Sequence, residues 1–226
     1  MPTQEPTISP GRRIVVTGGT GYVGRPLIER LLVRGYEVTA LVRPQSRARV
    51  PAGARSVDGS ALSSDDVVRA LSDGCTLVLL VGTPHPSPAK AKQFREVDLV
   101  AARAAAEAAL RFRRVAHIVY VSVAHPAPVM KAYIEVRSEG ERLLGATGVP
   151  LTVLRPWYVL GPGHWWPYAL VPVYSLLERL PSTRDSARRL GLVTHEQMIA
   201  TLVHAVEHPT ARVRVIEVPE IRTLLA

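Results

Sequence analysis

The chain has 226 residues, 47% hydrophobic and 21% charged, enough for one well-buried domain and too few for two comfortable ones. Its formal charge of +9 comes almost wholly from arginine, lysine occurring only at 90, 92 and 131, and the arginines are spread along the chain without interleaved aromatics, which argues against a nucleic-acid surface. MPTQEPTISPGRR lacks the apolar core of a secretory signal, no later apolar stretch is long enough to span a bilayer, and Cys75 has no second cysteine to pair with, so a cytoplasmic protein is expected.

In chain order, a flexible tail over 1–11 precedes a single domain over 12–226, opening with RRIVVTG as a buried strand. YVGRPLIERLLVRG then reads as a helix with Val23, Leu27 and Leu31 on one face and Gly35 as its stop. YEVTALVR is a second strand, and a short strand around ARSVDG precedes a helix over SSDDVVRALSDG. There Ser63 or Ser64 caps the first turn, and Asp65 and Asp66 sit at the positive end of the helix dipole. CTLVLLVG is a fourth strand, with Cys75 as a small buried hydrophobe. After the loop TPHPSP come an alanine-rich helix over 89–111, the strand VAHIVYVS, a helix across KAYIEVRSEGERLLGATG and the strand PLTVLRP. The tail reads as a helix starting near Thr194, with a capping box from Thr194 and Gln197, followed by a strand.

Strands whose apolar runs are nearly continuous, alternating with helices, predict an α/β fold of the Rossmann type. It is a doubly wound parallel sheet of about six or seven strands with helices on both faces and a ligand where the strand order reverses. TGGTGYVG, residues 17–24, joins the first strand to the first helix. Gly18 allows a tight turn, Gly21 lets backbone approach a pyrophosphate, and Gly24 lets helix pack on strand. The loop residues Thr17, Gly18, Thr20, Gly21, Tyr22, Val23 and Gly24 are therefore expected to hold a dinucleotide, its phosphates on the amides of the helix start. An NAD site normally ends its second strand in a carboxylate, but here Arg43 stands there with Arg47 shortly after, and a guanidinium matches a 2′-phosphate. NADP is favoured, and NAD stays open.

TGGTGYVG, the ALVR that ends the second strand, VDGSALSSDDVVRAL, IVYVS and AYIEVRSEGERLLGATGVPLTVLRPWYVLGPG together resemble the extended and atypical short-chain dehydrogenase/reductase superfamily over about residues 12–163. The likeness is to its NAD(P)H-binding, NmrA-like and epimerase-like members. The resemblance implies that Asp58 meets the adenine amino group and that Val81, Gly82 and Pro156 line the cofactor. In the best-known members a serine positions the substrate carbonyl, a tyrosine transfers the proton, and a lysine four residues on holds the nicotinamide ribose. Ser122, Tyr133 and Arg137 occupy those places, with arginine where the lysine belongs. Arginine keeps the charge, but its planar fork is bulkier and never loses its proton.

RPWYVLGPGHWWPYALVPVYSLLERL gathers all three tryptophans and three of the seven tyrosines after the sixth strand. By the resemblance, 156–192 forms the substrate side and its lid, with Trp157, Tyr158, His164 and Trp165 toward an apolar small-molecule substrate. The same aromatics also suit a homodimer interface or peripheral membrane contact. His204 and His208 lie at i, i+4, but a metal needs a third ligand, and none is expected to bind. Two functions remain. One is an NADP(H)-dependent oxidoreductase acting on a small, apolar carbonyl or alkene, with Tyr133 as proton donor and Arg137 holding ribose and charge. The other is a non-catalytic NAD(P)(H)-binding redox sensor or assembly protein, motivated by the missing lysine.

Overall fold

A computed structural model describes residues 12–161 and 184–224. The first half runs β1 (Arg13–Thr17), α1 (Gly24–Val33), β2 (Glu37–Val42), a 3₁₀ turn over Pro44–Arg49, β3 (Arg55–Asp58), α2 (Ser64–Ala70) and β4 (Thr76–Leu79). Then come α3 (Ala91–Gln93), a π turn over Phe94–Leu99, α4 (Val100–Phe112), β5 (His117–Val121), α5 (Lys131–Gly145), β6 (Leu151–Arg155) and β7 (Tyr158–Leu160). The rest is α6 (Arg184–Arg189), β8 (Leu192–Thr194), α7 (His195–Glu207), β9 (Val213–Glu217) and α8 (Val218–Thr223). The expected tail over 1–11 and the aromatic stretch 162–183, including His164 and Trp165, lie outside the described residues.

Seven strands form one sheet in the order β3-β2-β1-β4-β5-β6-β9, every pair parallel. The continuous apolar runs are explained by cover on both faces. Leu27, Ile28 and Leu31 of α1 and Met198, Ile199 and Leu202 of α7 pack on Ile14, Val16, Val38 and Val78 from one side. Val67 of α2, Ala105 and Ala109 of α4 and Leu144 of α5 pack on Val15, Leu77, Ile118 and Val153 from the other. The alanines of α4 let it lie close to its neighbours, and Gly140 of α5 serves the same end: a Cβ there would meet the Tyr120 hydroxyl at 2.5 Å. Each fully buried aliphatic side chain in these layers contributes roughly 1.5–3 kcal/mol.

The two expected helix caps form. Ser63, not Ser64, accepts from the Asp66 amide, and Thr194 and Gln197 make a reciprocal capping box. Cys75 is buried, which pushes its thiol pKa up. His117 is fully buried on β5 with its Nε2 2.9 Å from the Thr152 hydroxyl of β6. Burial pushes its pKa down to about 4, so the imidazole is neutral at neutral pH. Features not predicted include the 3₁₀ turn over Pro44–Arg49, the π turn inside the long helix, the short helices α6 and α8, and a small parallel pair in which Tyr158, Val159 and Leu160 of β7 register with Leu192, Val193 and Thr194 of β8. Among the described residues no helix is long and apolar enough to cross a membrane.

Candidate functional site

Strand order reverses between β1 and β4, because the chain moves outward from β1 to β2 and β3 and then returns to the other side. The crevice at the carboxyl ends of those two strands is where an open α/β sheet takes its ligand. Gly18, with φ +76°, follows β1 so closely against β4 that a Cβ would lie 2.9 Å from the Leu80 carbonyl carbon. At Gly24 a Cβ would lie 2.2 Å from the Gly18 oxygen and 2.7 Å from the Gly19 Cα, so the helix start is folded directly onto the loop. Gly21 differs from both. A Cβ there would meet only the Gly18 oxygen, at 3.2 Å, and the residue is exposed. Among the described residues only this one contact bears on glycine at 21, so its bareness serves approach from outside. Gly19, given no role in the sequence reading, clears space for Ile28 of α1, whose Cδ1 a Cβ would meet at 2.6 Å.

Gly18, Thr20 and Gly21 line a cleft of about 450 Å³. Its floor is Leu80, Val81 and Gly82, and its far end is Gly59 to Leu62. Its lining also includes Arg43, Ser46 and Arg49, set by the 3₁₀ turn after β2, and the apolar Leu41, Val42, Pro84 and Val97. At three residues per turn, positions 43, 46 and 49 fall on one side. Arg49 Nη2 donates to Ser46 Oγ at 3.0 Å. Ser46 and Arg49 were missed in the sequence, where the i, i+3, i+6 spacing of R-P-Q-S-R-A-R was the available signal. Arg47 points elsewhere and binds Asp58, Nη1 to Oδ2 at 3.0 Å. Asp58, expected to meet the adenine amino group, is exposed and pairs with Arg47 through Oδ2, and the residues that follow it, Gly59 to Leu62, line the cleft.

The catalytic expectations change more. Ser122 is buried, and its hydroxyl donates to Glu141 Oε1 at 2.5 Å. Glu141 in turn accepts from Arg155 through both oxygens, at 3.0 and 2.5 Å. Ser122, expected to position a substrate carbonyl, ties β5 to α5 and, through Arg155, to β6. Arg137 is also turned inward. Its side chain is 6% exposed, and Nη2 lies 2.6 Å from Oδ1 of Asp98, whose side chain is 0% exposed. Its Nη1 donates to the Val121 carbonyl at 3.0 Å. A Cβ on Gly82 would lie 2.1 Å from Arg137 Nη2, so the guanidinium fills the space directly beneath the cleft floor. Arg137, expected to hold the nicotinamide ribose, has internal partners for a physical reason: a buried cation must be paired, and the long fork reaches Asp98 and the Val121 carbonyl below the cleft.

Asp98, which sequence reasoning missed, is brought inward by the π turn. Its Oδ2 accepts from both the amide and the hydroxyl of Thr83, at 3.0 and 2.6 Å. The signal was present: Asp98 stands at i−4 to Ala102 and i−7 to Ala105, a carboxylate in line with the buried face of an alanine-rich helix. Tyr133 is half-buried, its ring 4.7 Å from that of Phe94 and 5.2 Å from the Arg137 guanidinium carbon. Pro156 is buried and Trp157 and Tyr158 are half-buried, their rings meeting edge to face at 5.6 Å. His204 and His208 stack at 4.2 Å, and among the described residues no three His, Cys, Asp or Glu side chains gather as a metal site would require.

A family model described as NAD(P)H-binding matches residues 18–162. The chain is 31% identical over 176 residues to a 3-diazoavenalumate denitrifying reductase from Streptomyces sp, covering 67% of this chain and 57% of that one. It is 27% identical over 170 residues to a 4-hydroxy-2-methyl-3-oxo-4-farnesyl-3,4-dihydroquinoline-1-oxide ketoreductase from Stigmatella aurantiaca, with 66% and 51% covered. The chain thus spans little more than half the length of either relative. Among solved structures, a short-chain dehydrogenase/reductase superfamily protein from Agrobacterium tumefaciens with bound NAD superposes with a TM-score of 0.66 at 18% identity, over 91% of this chain and 77% of that one.

Proposed function

We propose, from the premise that this chain belongs to the NAD(P)H-binding family within the short-chain dehydrogenase/reductase superfamily, that it is an NADP(H)-dependent reductase of a small, apolar carbonyl or alkene. The observation that carries the choice of cofactor is the cleft wall of Arg43, Ser46 and Arg49 beside the glycine loop. The residues present fit a dinucleotide: Gly18 and Gly24 are places a Cβ would fill with protein, Gly21 is bare toward the cleft, and the donors at its other end are cationic. Loop amides would hold the diphosphate, and the two arginines with the Ser46 hydroxyl would hold a 2′-phosphate. Titration of the full chain is expected to give NADPH at least about tenfold tighter binding than NADH. In the Arg43→Ala, Arg49→Ala double variant that preference should shrink to near parity, with NADH affinity little changed. Equal affinities in the unmodified chain would refute the NADP assignment.

A bound nicotinamide supplies hydride to the acceptor carbon. Tyr133 is the proton donor in this reading, giving its phenolic proton to the acceptor and regaining one from solvent. The Arg137 guanidinium against its ring fixes the position of the phenol. Ser122 and Arg137 act through the frame they build and do not touch the substrate. Tyr133→Phe should lower turnover roughly a hundredfold or more, the usual worth of a positioned acid, while leaving the NADPH dissociation constant unchanged. The check is NADPH consumption against a panel of ketones, aldehydes and enones. A second reading, a non-catalytic redox sensor, is favoured by the commitment of both Ser122 and Arg137 to internal partners. It predicts NADPH binding with no consumption against any acceptor.

A further inference from the structure

In an α-helix each carbonyl accepts from the amide four residues on, and at the start of α1 this ladder has a gap. Arg25 N donates to Gly21 O at 3.1 Å, and Leu27 N donates to Val23 O at 3.2 Å. Between them Tyr22 O would take the amide of residue 26, but residue 26 is proline and has no N–H. The donor comes from far away in sequence. His195, the first residue of α7, places Nε2 3.0 Å from Tyr22 O. A carbonyl only accepts, so the hydrogen is on Nε2.

Three further contacts hold the imidazole there. Its ring lies 4.3 Å from the Tyr22 ring, tilted by 47°. Gly161 leaves room for the pair, since a Cβ at 161 would lie 2.1 Å from the Tyr22 hydroxyl and 2.7 Å from the His195 Cβ. Arg30 of α1 pairs with Glu196 at 2.8 Å, keeping the first turn of α7 against α1. Tyr22 sits between Gly21, which lines the cleft, and the helix start. Its carbonyl fixes the peptide plane that also carries the Val23 amide. We infer that His195 is a positioning residue of the dinucleotide loop, supplying from α7 the hydrogen bond that Pro26 removes from α1. The inference rests on the family reading of the loop as a diphosphate cradle.

The test is a titration of the full-length chain and its variants with NADPH and with NADH. His195→Ala should weaken both nucleotides alike, by about tenfold, because the diphosphate is common to them and the half-buried Tyr22 carbonyl loses its His195 donor. His195→Phe, which keeps a ring against Tyr22 but has no donor, should be equally weak. Pro26→Ala alone should bind as the unmodified chain does. Placed in the His195→Ala background, Pro26→Ala restores an amide to the ladder and should return affinity to within about twofold. A role limited to ring packing would not be rescued this way. Unchanged affinity in His195→Ala, near-normal binding by His195→Phe, or absence of rescue in the double variant would each overturn the inference while leaving the family reading intact. Failure of the unmodified chain to bind either nucleotide would instead overturn the cofactor reading and this inference with it.

Discussion

Gly24→Ala is expected to abolish measurable dinucleotide binding, a loss of at least about a hundredfold, or roughly 3 kcal/mol. The added methyl would sit 2.2 Å from the Gly18 oxygen and 2.7 Å from the Gly19 Cα. Both are backbone atoms, so no rotamer change can make room. Either the loop separates from α1 or α1 tilts away from the sheet, and both displace the amides that face the cleft. Overpacking of this kind also costs about 1–3 kcal/mol of stability, so the melting temperature should fall along with the affinity. Gly21→Ala gives the contrast. Among the described residues its methyl meets one atom, at 3.2 Å, a contact relieved by a shift of a few tenths of an ångström, so the fold should melt nearly normally while nucleotide binding still falls. Nucleotide titration and thermal unfolding of the two variants separate the cases. Normal NADPH affinity in Gly24→Ala would mean that the loop does not hold the diphosphate.

The second large effect belongs to the ion pair beneath the cleft floor. Asp98→Ala should destabilise the fold by about 3–5 kcal/mol, because it leaves the Arg137 guanidinium buried without its counter-charge. The Thr83 amide and hydroxyl lose their acceptor in the same step. Two charges brought together out of water gain little over an apolar pair of similar volume, so the penalty comes from breaking the pair rather than from lacking it. Asp98→Leu combined with Arg137→Met is therefore expected to recover most of the stability that either single variant loses. Urea unfolding of the two singles and the double measures the coupling. Additive losses would show that the two side chains act independently. Arg137→Lys should not be a repair: an ammonium lacks the fork that meets Asp98 and the Val121 carbonyl together, and the shorter stem would leave space beneath Gly82.

Local signals carried much of the architecture. RRIVVTG and CTLVLLVG are apolar on both faces, which a strand covered on one face would not be, and both became interior strands of the parallel sheet. The two caps, Ser63 and Thr194, were legible because a cap is made with residues two or three positions away. The β7–β8 pair was not. Its strands are three residues each and separated by more than thirty positions, too short for any period to declare itself. The site divides in the same way. Gly18 and Gly24 followed from spacing, whereas Ser46 and Arg49 needed the 3₁₀ turn before their directions were defined, and Asp98, in line with the buried alanines of α4, needed Arg137 and Thr83 before its partners were.

What the sequence determined by itself is the doubly wound sheet and the glycine loop at its switch point. These depend on side-chain periodicity and on which dihedral angles and close approaches a bare residue allows, all properties of a few neighbouring residues. Only the tertiary structure decided the partners. Arg47 took Asp58, Arg137 took Asp98, Ser122 took Glu141, and His195 filled the place that Pro26 left open beside Tyr22. A long polar side chain can reach many acceptors, and the loss of water that makes it choose one exists only once the layers have closed.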